Sequence, residues 1–93
     1  MIEHVDHKIH EVAKLLKAAG AKEVYLFGSA ASGSLQDDSD VDMAVAGLPP
    51  EKYFRVISDS QRLLGRPLDL IDLDEPNPFT RYLTQEGELR QVE

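Results

Sequence analysis

The sequence predicts an α/β fold of the α+β kind, in which a small mixed sheet packs against helices. Three observations carry that expectation: amphipathic stripes at three- and four-residue spacing mark helices, short apolar runs mark strands, and the two kinds of segment alternate along the chain. At 93 residues the chain has room for one hydrophobic core, so residues 1–93 are expected to form a single domain.

The elements follow in order. Val5, Ile9, Val12, Leu15, Leu16 and Ala19 trace one face of a first helix, which Gly20 is placed to close. Val24-Tyr25-Leu26-Phe27 is a continuous apolar run bounded by Lys22-Glu23 and Gly28-Ser29, the pattern of a buried strand. Val41, Met43 and Val45 alternate with Asp42 and Ala44 before Gly47 and the Pro49-Pro50 break, which marks a second strand. Beyond Pro50, the stripe Tyr53, Val56, Ile57, Ser60, Leu63 and Leu64 predicts a helix that stops at Gly65. The run from Leu68 to Leu73 makes a third strand. Asn77 and Pro78 suit the cap and first position of a last helix, which carries Phe79, Tyr82 and Leu83 and ends at Gly87. The tail from Glu88 to Glu93 fits a short edge strand or a frayed end, and the sequence favours neither.

Composition excludes several function classes. A chain that is 42% hydrophobic with 6 Gly and 5 Pro can build a core and lacks the signature of disorder. The net charge of -7 leaves no basic stripe for a nucleic-acid backbone, so direct nucleic-acid binding is not expected unless divalent cations reverse the local field. With no cysteine there is neither a disulfide framework nor a thiolate metal site. Nothing near Met1 reads as a targeting segment, and no run approaches the ~20 apolar residues of a membrane span. The expectation is a soluble, cytoplasmic protein.

Connection lengths predict the topology. The segment between the second and third strands holds a full helix, enough for a right-handed crossover between parallel neighbours. That sets Asp42 beside Asp69, each near the start of its strand. The link from Phe27 to Val41 is short for such a crossover and favours an antiparallel first pair. Gly28, Ser29, Asp40, Asp42 and Asp69 are therefore expected to converge at one edge of the sheet.

Those residue types suit one chemistry. Asp40 and Asp42, two apart at a strand start, project to one face and can share hard cations through oxygen. Magnesium takes a few carboxylates and completes its shell with water and substrate phosphates. Two such ions neutralise a triphosphate, lower the pKa of an attacking hydroxyl and stabilise the leaving oxygen of an in-line displacement at phosphorus. Gly28 permits close approach of backbone to phosphate, and Ser29 offers a hydroxyl and an N–H. A short helix over Ala30 to Ser34, closed by Gly33, would aim further N–H groups at the same anion. Asp69 serves either as a third metal ligand or as the carboxylate that orients and deprotonates the acceptor hydroxyl. Asp72, of opposite parity, is expected on the other face.

Gly28-Ser29, ten intervening residues, then Asp40-Val41-Asp42 resembles the glycine-serine to paired-aspartate motif of the DNA polymerase beta-like nucleotidyltransferase superfamily. With the strand Leu68-Asp69-Leu70-Ile71-Asp72 and the Asn77-Pro78-Phe79 helix start, the likeness extends to the minimal nucleotidyltransferases and covers the chain beyond its first helix. The resemblance implies the polymerase beta-like fold, with Gly28 and Ser29 on the triphosphate of ATP, Asp40 and Asp42 on two Mg2+ ions, and Asp69 joining the metal site. It further implies an antitoxin paired with a small helical HEPN toxin, some relatives transferring AMP from ATP to a tyrosine of that partner. Relatives often carry arginines just after the Gly-Ser pair. Here Ala30, Ala31 and Ser32 stand instead, removing a phosphate contact.

Blander readings compete with these. A lone D-x-D in an acidic chain is usually a solvated turn; its strand, Gly-Ser and spacing context raise it to a site. A calcium loop from Asp38, Asp40 and Asp42 fails because Met43 and Pro49 occupy its glycine and glutamate positions. His4, His7 and His10 read as solvated helix residues. Asp37, Asp38, Asp74 and Glu75 read as exposed loop charges. The alternative functions are a non-catalytic antitoxin that neutralises its partner by binding, then a small-molecule nucleotidyltransferase, and lastly a templated polymerase.

Overall fold

The structure is a computed structural model and describes residues 2–33, 39–86 and 89–92. Expectations placed on Ser34, Asp37, Asp38 and Gly87, and on the side chains of His4 and Val5, lie outside the described residues.

Helix α1 (Ile2–Ala18) leads through a tight turn into strand β1 (Glu23–Leu26), followed by the short helix α2 (Gly28–Ser32). Strand β2 (Val41–Ala46) is joined to strand β3 (Leu68–Asp72) by a single 3-10 turn, Pro50–Lys52, and helix α3 (Tyr53–Leu64). Helix α4 (Pro78–Gln85) and the two-residue strand β4 (Arg90–Gln91) complete the fold. The strands form one sheet in the order β3-β2-β1-β4. β1 pairs antiparallel with β2, while β2 and β3 are parallel. Both relations are those that connection length dictates: a loop too short to cross over returns the chain antiparallel, and a full helix carries it back parallel.

α1 and α3 cover one face of the sheet. Val12, Leu16, Val24, Val41, Met43 and Val45 are fully buried there, with Ile9, Val56, Leu64 and Leu68 around them. Gly65 ends α3 in the left-handed conformation at φ 72°, its N–H donating to Gln61 O, which releases the chain into β3. The other face carries a smaller cluster in which Leu83 of α4 meets Phe27 and Ala44, with Tyr25 and Ile71 packed beside them. α4 starts as its sequence predicts. Asn77 Oδ1 accepts from Thr80 N at 2.9 Å, Thr80 Oγ1 accepts from Asn77 N at 3.2 Å, and Pro78 takes the first position, where its missing N–H costs nothing.

Several details depart from expectation. α2 begins at Gly28 and not at Ala30, because Gly28 itself turns the chain into the helix. The apolar stripe of α3 includes Leu63, yet that side chain is exposed, while polar Ser60 is fully buried in the stripe. Asp74 is more than a loop charge: its Oδ2 accepts from Gly47 N at 2.6 Å, tying the chain beyond β3 to the end of β2. The tail resolves in favour of an edge strand, with Gln91 opposite Tyr25 and Arg90 opposite Leu26.

Candidate active site

The parallel register places Asp42 directly opposite Asp69. Phe27, just past the end of β1, donates its N–H to Asp42 O at 3.1 Å and continues the same line. Residues directly opposite across a ladder share a face, so Phe27, Asp42 and Asp69 form a row on the side of the sheet that α4 covers only in part. Two residues further into the sheet the corresponding row is Tyr25, Ala44 and Ile71, which is apolar and packed beneath α4. The site is therefore the place where an apolar sheet face gives way to carboxylates.

Gly28 adjoins this row with φ at 63°, a backbone state that side chains disfavour. A Cβ there would stand 2.5 Å from Asp42 Oδ2, so the conformation favours glycine and any side chain would have to displace the Asp42 carboxylate. α2 runs from this point and is closed by Gly33, whose N–H donates to Ser29 O. Its N-cap is Phe27, which has no side-chain acceptor, so the first N–H groups of the turn have no capping side chain. Ser29 lies in that first turn and is half-buried.

Asp40 precedes β2 and is solvent-exposed. Its backbone is held on both sides: Ser39 O accepts from the Arg66 guanidinium at 3.0 Å, and Val41 N donates to Pro67 O at 3.0 Å. Arg66 is thus a supporting residue that sequence reasoning passed over. Its position in the turn after Gly65, at the level where β2 and β3 both begin, was the available signal.

The carboxylates feel one another. Burial raises the pKa of Asp42 above the usual carboxylate value, and the charges of Asp69 and then Asp40 raise it further. All three acids expected from the sequence are therefore electrostatic neighbours, with Asp42 half-buried at the centre and Asp40 and Asp69 exposed on its flanks. Among the described residues no three such side chains are already gathered as a metal-binding cluster, so the arrangement is an open, mutually repelling set and not a closed cage. Asp72, as its parity predicts, belongs to the other face: it lies beside the Tyr53 hydroxyl of α3, and its Oδ1 accepts from Asp74 N at 2.9 Å. His7 and His10 are exposed on α1, in keeping with a solvated role.

An aromatic wall flanks the row. Phe79, in the first turn of α4, meets Phe27 edge to face with ring centroids 5.8 Å apart and remains 47% exposed. The same ring lines a cleft of about 430 Å³ that wraps the free edge of β3, with Pro50, Tyr53, Ile71 and Asn77 among its other walls.

A strand-ending Gly-Ser turn packed on the first of two facing strand aspartates is the arrangement that decides the family. Residues 8–89 match the family model for the polymerase beta nucleotidyltransferase domain. The chain belongs to the polymerase beta nucleotidyltransferase family. Among solved structures, one described as a minimal nucleotidyltransferase is 25% identical and superposes with a TM-score of 0.78 over 99% of this chain and 94% of its own. A toxin-antitoxin structure with AMP-PNP is 26% identical, with a TM-score of 0.71 over 91% of this chain and 69% of its own. The MntA-HepT toxin-antitoxin structure, at 21% identity and a TM-score of 0.66 over 92% of this chain and 69% of its own, shares the fold. No curated protein matches the chain. Among the described residues no helix is long and apolar enough to cross a membrane.

Proposed function

We propose that this nucleotidyltransferase domain moves a nucleoside monophosphate, AMP from ATP, onto a hydroxyl of a small helical HEPN-type toxin, and so acts as its antitoxin. The observation that carries the reading is the row Phe27, Asp42, Asp69 with Gly28 packed on Asp42. It offers a negative, half-buried centre beside a backbone turn open to phosphate. Similarity to a toxin-antitoxin structure with AMP-PNP supports both the nucleotide and the partner.

Each residue has a part. Asp40 and Asp42, with Asp69, would hold Mg2+, for which an oxygen-only donor set with mutually repelling charges is the fitting chemistry. The bound ions supply charge neutralisation to the triphosphate and acidify the attacking hydroxyl. Gly28 and the following N–H groups, which have no capping side chain, receive the β- and γ-phosphates. Asp69, exposed at the outer flank of the pair, orients the acceptor hydroxyl and takes its proton. The acceptor oxygen bonds to the α-phosphorus as the bond to the pyrophosphate oxygen breaks, and pyrophosphate leaves with that electron pair.

The test uses ATP labelled at the α-phosphate, Mg2+ and the candidate toxin. The label should appear on the toxin, and Asp42→Asn should lower the rate by at least about a thousandfold, the size expected when a group that acts in the transition state is lost. Transfer undiminished by Asp42→Asn would sink the assignment. Ala30, Ala31 and Ser32, where relatives often carry phosphate-binding arginines, favour a second reading in which the domain silences its partner by binding. Neutralisation that survives combined Asp40→Asn and Asp42→Asn replacement would establish that one.

A further inference from the structure

We propose that the free edge of β3 docks an extended basic segment of a partner protein, which adds to the sheet as a further strand and lodges one arginine or lysine side chain in the cleft beside Leu70. This docking is independent of nucleotidyl transfer.

The backbone of β3 is set for such an addition. In its parallel ladder with β2, Val41 N donates to Pro67 O and Leu73 N donates to Val45 O. Odd-numbered residues from Pro67 to Leu73 therefore turn their backbone groups toward β2, while Leu68, Leu70 and Asp72 turn theirs toward the edge of the sheet. The fold itself caps both ends of that outward row: Gln61 Oε1 accepts from Leu68 N at 3.0 Å, and Asp72 O accepts from Glu75 N at 3.2 Å. Leu70 lies between these caps, its N–H and C=O presented to a further strand.

Side chains along the edge define what that strand carries. Phe54, Ile57 and Gln61 follow one another on one side of α3, and Gln61 is held to the start of β3, so this row runs beside the edge. Phe54 is 89% exposed there and Ile57 is half-buried, a strip of apolar surface that apolar side chains of an added strand would cover. At the Asp72 end the cleft has walls of Pro50, Tyr53, Leu70 and Phe79, with the carboxylates of Asp72 and Glu75 among them. An apolar throat with acid beside it fits the stem and charged head of arginine or lysine, and the half-exposed Phe79 ring suits a guanidinium. Charge also decides against a second copy as the occupant. Two β3 strands side by side would bring the Asp69 and Asp72 charges of both copies into one seam, on chains that each carry a net charge of -7.

The experiment is amide NMR of the full chain, titrated with two blocked peptides about six residues long, one alternating valine with arginine and the other valine with glutamate. The arginine peptide should shift Leu70 and Asp72 and slow the hydrogen exchange of their amide protons. It should bind at least about tenfold more tightly than the glutamate peptide, and the ratio should shrink at about 1 M salt, where charges are screened. Leu70→Pro deletes the outward N–H without touching the ladder to β2 and should abolish the binding. Phe54→Ser and Glu75→Gln, both at exposed side chains, carry the same test if that variant does not fold, each weakening the arginine peptide by about threefold or more. The proposal is overturned if the arginine peptide does not bind, binds no better than the glutamate peptide, or shifts residues away from Leu70 and Asp72. Undiminished binding to a folded Leu70→Pro variant overturns it as well. A chain that sediments as a dimer, which the arginine peptide does not dissociate, assigns the edge to a second copy and also overturns it.

Discussion

The two faces of the sheet are built for different ends. On one, α1 and α3 seal Val12, Leu16, Val24, Met43 and Val45 from solvent. On the other, the shorter α4 covers Ala44 and Phe27 and stops short of Asp42 and Asp69. The first face has little to offer a ligand and supplies most of the apolar burial. The second leaves like charges side by side, an arrangement that burial makes worse and that only a cation or a proton relieves. A small protein can bear that cost when the opposite face is closed.

The comparison breaks most easily at Leu16. This side chain is fully buried between α1 and the sheet. Leu16→Ala should destabilise by about 2–5 kcal/mol and lower the melting temperature by more than about 10 °C, while nucleotide affinity measured well below melting stays near that of the parent. A large loss of affinity in a variant that is still folded would show that the two faces are not separable.

That separation was legible in the sequence where chain length and parity act together. The short Phe27 to Val41 link and the long Ala46 to Leu68 link force antiparallel and then parallel pairing, and the parallel register brings Asp42 to Asp69. The same alternation puts Asp72 on the other face. What the sequence concealed depends on neighbours that are distant along the chain. Phe79, Tyr82 and Leu83 share one helix, yet Leu83 is buried while Phe79 and Tyr82 are about half exposed, because α4 rests on only a narrow strip of sheet. Arg90-Gln91 has no strand pattern and pairs only because β1 has a free edge. Arg66 reads as an ordinary turn cation until the fold carries it to Ser39.

Asp42 sharpens the comparison at the open face. Its folded-state pKa lies above its unfolded value, burial first and Asp69 and Asp40 after it, so the folded protein holds this proton more tightly than the unfolded chain. The stability it contributes is complete below the unfolded value and is lost as pH rises through the raised folded value. At neutral pH without metal, ionised Asp42 therefore works against folding. Asp42→Asn should raise the metal-free melting temperature at pH 7, and the gap over the parent should close as pH falls toward the ordinary carboxylate range. Thermal melts across that range in a chelator check the sign. A parent more stable than Asp42→Asn under those conditions would mean that the fold already supplies a compensating positive charge.

The smallest effect tests the closed face at a buried hydroxyl of α3. Ser60 is fully buried in the apolar stripe of α3, and its hydroxyl has no hydrogen-bond partner among the described residues. A buried hydroxyl without a partner gives up its hydration for nothing, and serine is a weaker helix former than alanine. Ser60→Ala removes one oxygen and leaves the apolar surroundings in contact with a methyl group. The expected result is a gain of up to about 1 kcal/mol, read as a higher urea midpoint at unchanged slope, with no change in nucleotide binding. A loss of stability would mean that the hydroxyl is satisfied in solution, through water or a shifted rotamer, and that the face behind α3 is less completely closed than its packing indicates.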